Sequence, residues 1–252
     1  AGSWTTNQYW EPWKVAEAAP ASSPDGAAER VRWLLDDSVR LRLMSDVPFG
    51  AFLSGGLDSS GIVALMAQHM DEPVETFAIR FSEEPHLDEG EHAQAVSRHC
   101  GTRHHEVDCT ADRVELLPQL LSHFDEPFAD PIIVPTHQVS QLAAERVKVI
   151  LTGEGADELF GGYNRFVKDA QIRRLALLPK FVRSALEGVA SRVPSAHSLQ
   201  RALVLAGQSA GRRALTWIEA FDAGERLSMS VDPSAVAEGA ERLYSECVLD
   251  AP

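Results

Sequence analysis

Ser54-Gly55-Gly56-Leu57-Asp58-Ser59-Ser60 follows directly on the apolar run Ala51-Phe52-Leu53, and this junction decides the fold. Two consecutive glycines let the backbone bend tightly and approach a ligand with no side chain in the way. The run before them has the character of a buried strand, and Ile62-Val63-Ala64-Leu65-Met66 after them that of a helix entering the core. Ser59 and Ser60 fall at the predicted helix start, where free backbone N–H groups and hydroxyls collect. A strand, a glycine turn and a helix N-terminus together make an anion site. Asp58 is unwelcome to a bare phosphate there. It fits if a Mg2+ ion bridges its carboxylate and the phosphates.

Two commoner phosphate loops are excluded. Walker A needs Gly-x-x-x-x-Gly-Lys-Ser/Thr, and no lysine follows these glycines; the Gly-x-Gly-x-x-Gly spacing of dinucleotide folds is also missing. An ordinary glycine-rich turn would not need seven small, polar or acidic positions to fall right at once. The heptad resembles the pyrophosphate-binding loop of the N-type ATP pyrophosphatases, which split ATP between the α and β phosphates and adenylate a carboxylate or carbonyl. That superfamily includes asparagine, GMP, NAD and argininosuccinate synthetases and tRNA-thiolation enzymes, and the heptad alone does not choose among them.

The chain has 252 residues and a formal net charge of −14. Its lysines are Lys14, Lys148, Lys168 and Lys180. Such a balance disfavours broad nucleic-acid binding, which needs a basic face, but not ATP, whose charge is met locally by Mg2+, arginines and backbone N–H groups. No apolar run is long enough to span a bilayer and no segment resembles a signal peptide, so a cytoplasmic protein without membrane contact is expected. Cys100, Cys109 and Cys247 form no Cys-x-x-Cys pattern and read as reduced structural thiols, which weakens the thiolation option. His104 and His105 are neighbours on a predicted strand and face opposite ways, so they are read as structural and not as joint metal ligands.

Strands are predicted at 47–53, 74–81, 104–108 and 148–152, with helices near 27–45, 59–70, 88–100, 111–123 and 136–146 between them. The apolar positions Ala28, Val31, Leu34, Leu35 and Val39 fit one face of the first helix. The 148–152 strand reads as buried on both faces. Alternating strands and helices predict an α/β fold, a parallel twisted sheet with helices on both faces. Ligands then sit beyond the carboxyl ends of the strands, where the loops after Leu53 and Thr152 emerge. Residues 1–26, with Trp4, Tyr9, Trp10, Pro12 and Trp13, read as a connector arm whose aromatics dock on something, followed by a linker. Residues 27–166 form the α/β domain. After it, residues 167–252 carry no strand signal and read as helices near 168–190, 198–206, 210–221 and 233–248.

The second informative stretch is Thr152-Gly-Glu-Gly-Ala-Asp-Glu-Leu-Phe-Gly-Gly-Tyr163. It leaves a strand, carries four glycines, and holds Glu154, Asp157 and Glu158; Glu158-Leu159-Phe160 reads as the first turn of a buried helix. Close carboxylates that stay ionised usually need a cation, so one Mg2+ between Asp58 and Asp157 is expected.

Together with "EPFADP" at 126–131, the two loops resemble the synthetase domain of the glutamine-hydrolysing asparagine synthetase family, over about residues 30–166. The arm around Tyr9-Trp10-Glu11-Pro12 is similar to that family's connector. The resemblance implies an adenine nucleotide α-hydrolase-like fold of the N-type ATP pyrophosphatase kind. It implies a ligase that adenylates the aspartate side chain with ATP and amidates it with ammonia, giving asparagine, AMP and pyrophosphate. Residue by residue, it implies that Ser54, Gly55, Gly56, Ser59 and Ser60 hold pyrophosphate and that Asp58 and Asp157 bind Mg2+. Phe52, with Leu53 beside it, and Ile79 contact the adenosine, and Thr152 and Gly153 the nucleotide. Glu154 stands by the acyl-adenylate as proton acceptor or substrate orienter. Position 154 is typically tyrosine in the β-lactam-forming relatives, so Glu154 favours asparagine formation.

The family's glutaminase half begins with a catalytic N-terminal cysteine, whereas this chain begins Ala1-Gly2-Ser3. Ammonia is therefore expected from free solution or from a glutaminase domain in the full-length protein or a partner, and a homodimer is allowed. The family's later Arg-Val-Pro-Phe-Leu-Asp segment is not found; Arg192-Val193-Pro194-Ser195 does not continue it. The chain is expected to be an internal piece that binds ATP·Mg2+ yet turns over poorly alone. The alternatives are a related amidotransferase or a lactam or lasso-peptide synthetase acting on another carboxylate, and a nucleotide-binding module inactive in isolation.

Overall fold

The structure, a computed structural model, describes residues 5–10, 23–110, 115–124, 130, 132–217 and 234. The chain divides into two units, 1–154 and 155–252, and each is taken by itself.

The first unit starts with α1 (Pro24–Arg42), whose signals are local. Ser23 caps it by accepting from Gly26 N at 3.2 Å, Pro24 opens it, Asp25 lies in its first turn and Arg40 and Arg42 in its last. The sheet consists of β1 (Phe49–Phe52), β2 (Glu75–Arg80), β3 (Arg103–Asp108) and β4 (Val149–Leu151). All pairings are parallel and the spatial order is β3-β2-β1-β4. Between the strands run α2 (Leu57–His69), α3 (Gly90–Cys100), α4 (Leu117–Leu121) and α5 (Ile133–Ala144). The expected parallel α/β architecture is therefore present. The order changes direction at β1: the chain steps outward through β2 and β3, then returns to place β4 on the other side of β1.

Alternate strand residues face two packed layers, which is the period-2 rule at work. Ala51, Leu53, Ala78 and Leu151 pack with Val39 of α1, Val63 and Met66 of α2 and Ala93 of α3. Phe52, Phe77, Ile79, Val107 and Ile150 pack with Val139, Ala143 and Val147 in and after α5. Helices thus cover both faces. His104 and His105 obey the same alternation. His104 Nδ1 lies 3.0 Å from Thr76 Oγ1, whereas His105 stacks on Phe77 with centroids 5.3 Å apart and puts Nε2 2.7 Å from Glu75 Oε2.

Two expectations are corrected here. Among the described residues β4 is an edge strand, paired to β1 alone, and Val149 is 38% exposed, so it is not buried on both faces. On α1 only Val39 of the predicted apolar face is buried; Leu34 and Leu35 are exposed, because the sheet-side layer receives only the end of that helix. Of the predicted helix 111–123, α4 is observed at Leu117–Leu121, and 111–114 lie outside the described residues. Of the aromatic arm, Tyr9 and Trp10 are exposed, and Trp4, Pro12 and Trp13 lie outside the described residues.

The second unit contains, among its described residues, only helices: α6 (Ala156–Phe160), α7 (Asn164–Ala176), α8 (Lys180–Ala190), a 3-10 turn at Pro194–Ala196, α9 (His197–Ala206) and α10 (Ala210–Thr216). The predicted 168–190 helix is two, since Pro179 starts a new one after Leu177-Leu178. Its core joins Ile172, Leu205 and Ala206 with Trp217. Buried Arg213 ties α10 to α7 through Asp169 at 2.9 Å. The predicted helix at 233–248 lies outside the described residues apart from Ser234. No helix among the described residues is long and apolar enough to cross a membrane.

Candidate active site

The carboxyl end of β1 leads without interruption into the glycine turn. Pairing with β2 continues one residue beyond the strand, Leu53 N donating to Phe77 O at 2.9 Å. Gly55 then takes φ +84°, and a Cβ on it would lie 2.5 Å from Ala93 N and His92 C at the start of α3. Only glycine meets both demands. Gly56 is the N-cap of α2, so the loop ends on that helix's free N–H groups.

The serines of the loop bind each other. Ser54 Oγ and Ser59 Oγ are 3.0 Å apart, Ser54 N donates to Ser59 Oγ at 3.3 Å, and Gly56 N donates to Ser54 Oγ at 3.3 Å. Ser60 Oγ is buried without a partner among the described residues. Asp58, in the first turn of α2, is half-buried and makes no hydrogen bond or ion pair among the described residues.

Beside this loop, β4 delivers the second one. Registers Gly50↔Ile150 and Ala51↔Leu151 bring Thr152 and Gly153 out at the same rim as Leu53 and Ser54. A Cβ on Gly153 would lie 2.8 Å from Ser59 N and 3.0 Å from Asp58 Cβ. The two loops are thus in contact, backbone against backbone. Glu154 follows, exposed, with its N–H 3.5 Å from Thr152 Oγ1. On the other side of β1, the β2 register Phe52↔Phe77 carries Ile79 to the same rim, and both Phe52 and Ile79 are half-buried in the α5-side layer.

The first unit therefore brings together Phe52, Leu53, Ser54, Gly55, Gly56, Asp58, Ser59, Ser60, Ile79, Thr152, Gly153 and Glu154. Asp157 belongs to the second unit, in the first turn of α6, where its backbone O accepts from Gly162 N at 3.0 Å and its Oδ1 fills the space a Cβ on Gly162 would take. The buried helix expected at Glu158-Leu159-Phe160 is corrected: α6 has five residues, none buried, with Leu159 79% and Phe160 58% exposed. Tyr163 Oη donates to Glu158 Oε1 at 2.6 Å, which holds the Glu158 carboxyl below its ordinary range and pushes the Tyr163 hydroxyl above its own. Of "EPFADP", only Asp130 lies within the described residues; its Oδ1 accepts from Ile132 N at 3.0 Å.

Among the described residues no three His, Cys, Asp or Glu side chains cluster as a metal cage. Mg2+ bound with a nucleotide needs no such cage, since one or two carboxylates and the phosphates suffice. The uncommitted Asp58 carboxylate at a helix N-terminus fits that role.

A cavity of about 520 Å3 lies at the opposite, amino end of the strands, beside Phe49, Glu75 and Arg103. Its lining holds ion pairs: Arg103 pairs with Glu72 and Glu75, and Arg146 with the adjacent Glu145. The glycine loops and their hydroxyls and carboxylates converge at the other rim.

The asparagine synthase family model matches residues 30–251. The chain belongs to the asparagine synthase family. It is 37% identical over 188 residues to a putative glutamine-hydrolyzing asparagine synthetase of Mycobacterium tuberculosis, covering 74% of this chain and 28% of the relative. It is 38% identical over 173 residues to a second such protein in Methanocaldococcus jannaschii, covering 68% and 33%. With asparagine synthetase [glutamine-hydrolyzing] 1 of Bacillus subtilis it shares 36% identity over 171 residues, covering 68% and 27%. The chain thus spans about a third or less of the length of these relatives. Among solved structures, an NH3-dependent NAD synthetase from Campylobacter jejuni aligns with TM-score 0.37 and 14% identity over 54% of this chain and 60% of that one. The fold reading rests on the sheet itself and not on that alignment.

Sequence reading missed how the loop is seated. The Gly55 contact with α3, and the ion pair of Arg80 at the end of β2 with Asp88 just before α3, join residues with no shared motif, so no spacing signals them.

Proposed function

We propose that this asparagine synthase family chain carries the ATP-dependent half of asparagine synthesis. The aspartate side-chain carboxylate attacks the α-phosphorus of ATP, forming β-aspartyl-AMP and releasing pyrophosphate. Ammonia then attacks the acyl carbon, AMP leaves, and asparagine is formed. A carboxylate oxygen leaves poorly at neutral pH, and adenylation makes it a leaving group.

The contact of Gly153 with Ser59 and Asp58 carries this reading. It supports one site at the point where strand order reverses, where α/β folds bind ligands. In the proposal the N–H groups opening α2 and the hydroxyls of Ser54, Ser59 and Ser60 receive the pyrophosphate, as donors aimed where negative charge accumulates. Gly55 and Gly56 admit the phosphates to the backbone. Phe52, Leu53 and Ile79 flank the adenosine, with Thr152 and Gly153 on the nucleotide's other side. Asp58 and Asp157 are proposed to hold Mg2+, which would neutralise the leaving pyrophosphate. Glu154 accepts the proton lost by ammonia or orients the carboxylate. Residues 1–26 are kept as the connector, 27–166 as the ATP-pyrophosphatase domain and 167–252 as the helical region. Ammonia comes from a glutaminase domain or from solution.

Isotope exchange between pyrophosphate and ATP, measured on the complete gene product across a panel of carboxylic acids, tests this. Aspartate-dependent exchange with AMP as final product is expected. Exchange supported by a different acid, or ADP as product, would overturn it.

A further inference from the structure

We infer that Arg80 and Asp88 are positioning residues for the pyrophosphate loop: they fix the start of α3, the surface on which Gly55 is seated. Arg80 ends β2, immediately after Ile79. Its guanidinium reaches across the β2–α3 connection and forks onto Asp88, Nε donating to Oδ1 at 2.9 Å and to Oδ2 at 3.0 Å, and Nη2 to Oδ2 at 2.7 Å. Asp88 Oδ1 also accepts from Phe81 N at 3.2 Å and Gly90 N at 3.3 Å. One carboxylate therefore gathers donors from both ends of the connection. Arg80 Nη1 reaches Glu106 Oε2 at 3.5 Å, and Glu106 is itself held by Gln94 Nε2 at 3.0 Å from the second turn of α3.

The consequence reaches the loop in two short steps. The Arg80 guanidinium fills the space a Cβ on Gly90 would take, so the first residue of α3 is pressed directly on the clamp. Two residues on, His92 and Ala93 form the surface 2.5 Å from a Cβ on Gly55, whose φ of +84° sets the turn. Moving the start of α3 moves the seat of that turn. A solvated ion pair would contribute little, but the Arg80 and Asp88 side chains are only 27% and 13% exposed. Forked geometry adds direction as well as strength.

This inference rests on the proposed function only for its effect on ATP. Its first test needs no ligand. Hydrogen exchange of the amides of Ser54, Gly56 and Ser60 should quicken by roughly tenfold or more in Arg80→Ala and Asp88→Ala, the double variant behaving like either single one, as contacts acting as a unit do. Arg103→Ala, which removes ion pairs at the amino end of the neighbouring strand, should leave these amides unchanged. In the second arm, ATP·Mg2+ affinity should fall by roughly tenfold in both single variants, a change of about 1.4 kcal/mol in binding. Arg80→Lys should restore it only in part, because an ammonium lacks the fork. If the alanine variants do not fold, Arg80→Lys and Asp88→Asn carry both arms. Unchanged exchange at the loop, or quickening spread evenly over the whole sheet, would overturn the positioning role. A wild-type chain that binds no ATP·Mg2+ would instead overturn the proposed function, and the exchange arm would still decide the clamp.

Discussion

Gly153 lies so close to Ser59 that a Cβ at position 153 would stand 2.8 Å from the Ser59 backbone nitrogen. The neighbour is the first turn of α2, which cannot swing aside like the end of a flexible side chain. Gly153→Ala should therefore part the two loops. Overpacking of this kind costs about 1–3 kcal/mol, which urea unfolding would read. ATP·Mg2+ affinity, read by calorimetry, should fall by roughly tenfold. Native affinity in a folded Gly153→Ala chain would contradict the shared site.

Asp58 makes no hydrogen bond or ion pair among the described residues, and Asp157 is its proposed companion at the metal. Asp58→Asn and Asp157→Asn should each weaken nucleotide binding in the presence of Mg2+ and change it little in its absence, because the amide keeps the shape and loses the charge. Titration with and without the metal reads the difference. Unchanged affinity in both variants would remove the shared-metal proposal.

As a proton acceptor, Glu154 would act in the second half-reaction. Glu154→Gln should retain much of the aspartate-dependent pyrophosphate exchange while amide formation falls by about 10²-fold or more, the scale of a lost proton acceptor. Equal loss in both half-reactions would instead make Glu154 a residue that positions the carboxylate for both.

Acid should act on two groups around α3. Hydrogen bonds from Arg80, opposed by burial and helped by Phe81 and Gly90 N–H groups, hold Asp88 at about 2, below its usual 3.8. The unfolded chain therefore takes up this proton first as pH falls. The Asp88 contribution to stability is full above the usual value and is lost as pH falls through about 2. Burial lowers the His104 imidazole below its usual 6.5, with Glu106 opposing. Its contribution is full above 6.5 and is lost as pH falls through the lowered value. Urea titrations across pH should show Asp88→Asn flattening only the most acidic limb relative to wild type. A flattening near neutrality would contradict that assignment.

Much of the site was legible because its residues are local. Ser54 to Ser60 and Thr152 to Glu154 are continuous stretches whose glycines, hydroxyls and carboxylates announce their use, and the alternation of strands and helices puts both at one end of a parallel sheet. What escaped was set by tertiary neighbours. Val149 reads as interior from its composition, yet the strand order makes it an edge. Leu159 and Phe160 read as core from their character, yet α6 is too short to bury them. The Arg80–Asp88 fork and the Gly55 seat on Ala93 depend on how α3 lies against β2, which no periodicity encodes.

The central claim is met most directly by hydrogen exchange of the chain with and without ATP·Mg2+. Slowed exchange at both 54–60 and 152–154 in one titration, with the same midpoint, is the predicted result. Protection of only one of these loops, or protection near Phe49, Glu75 and Arg103 at the opposite end of the sheet, would contradict it.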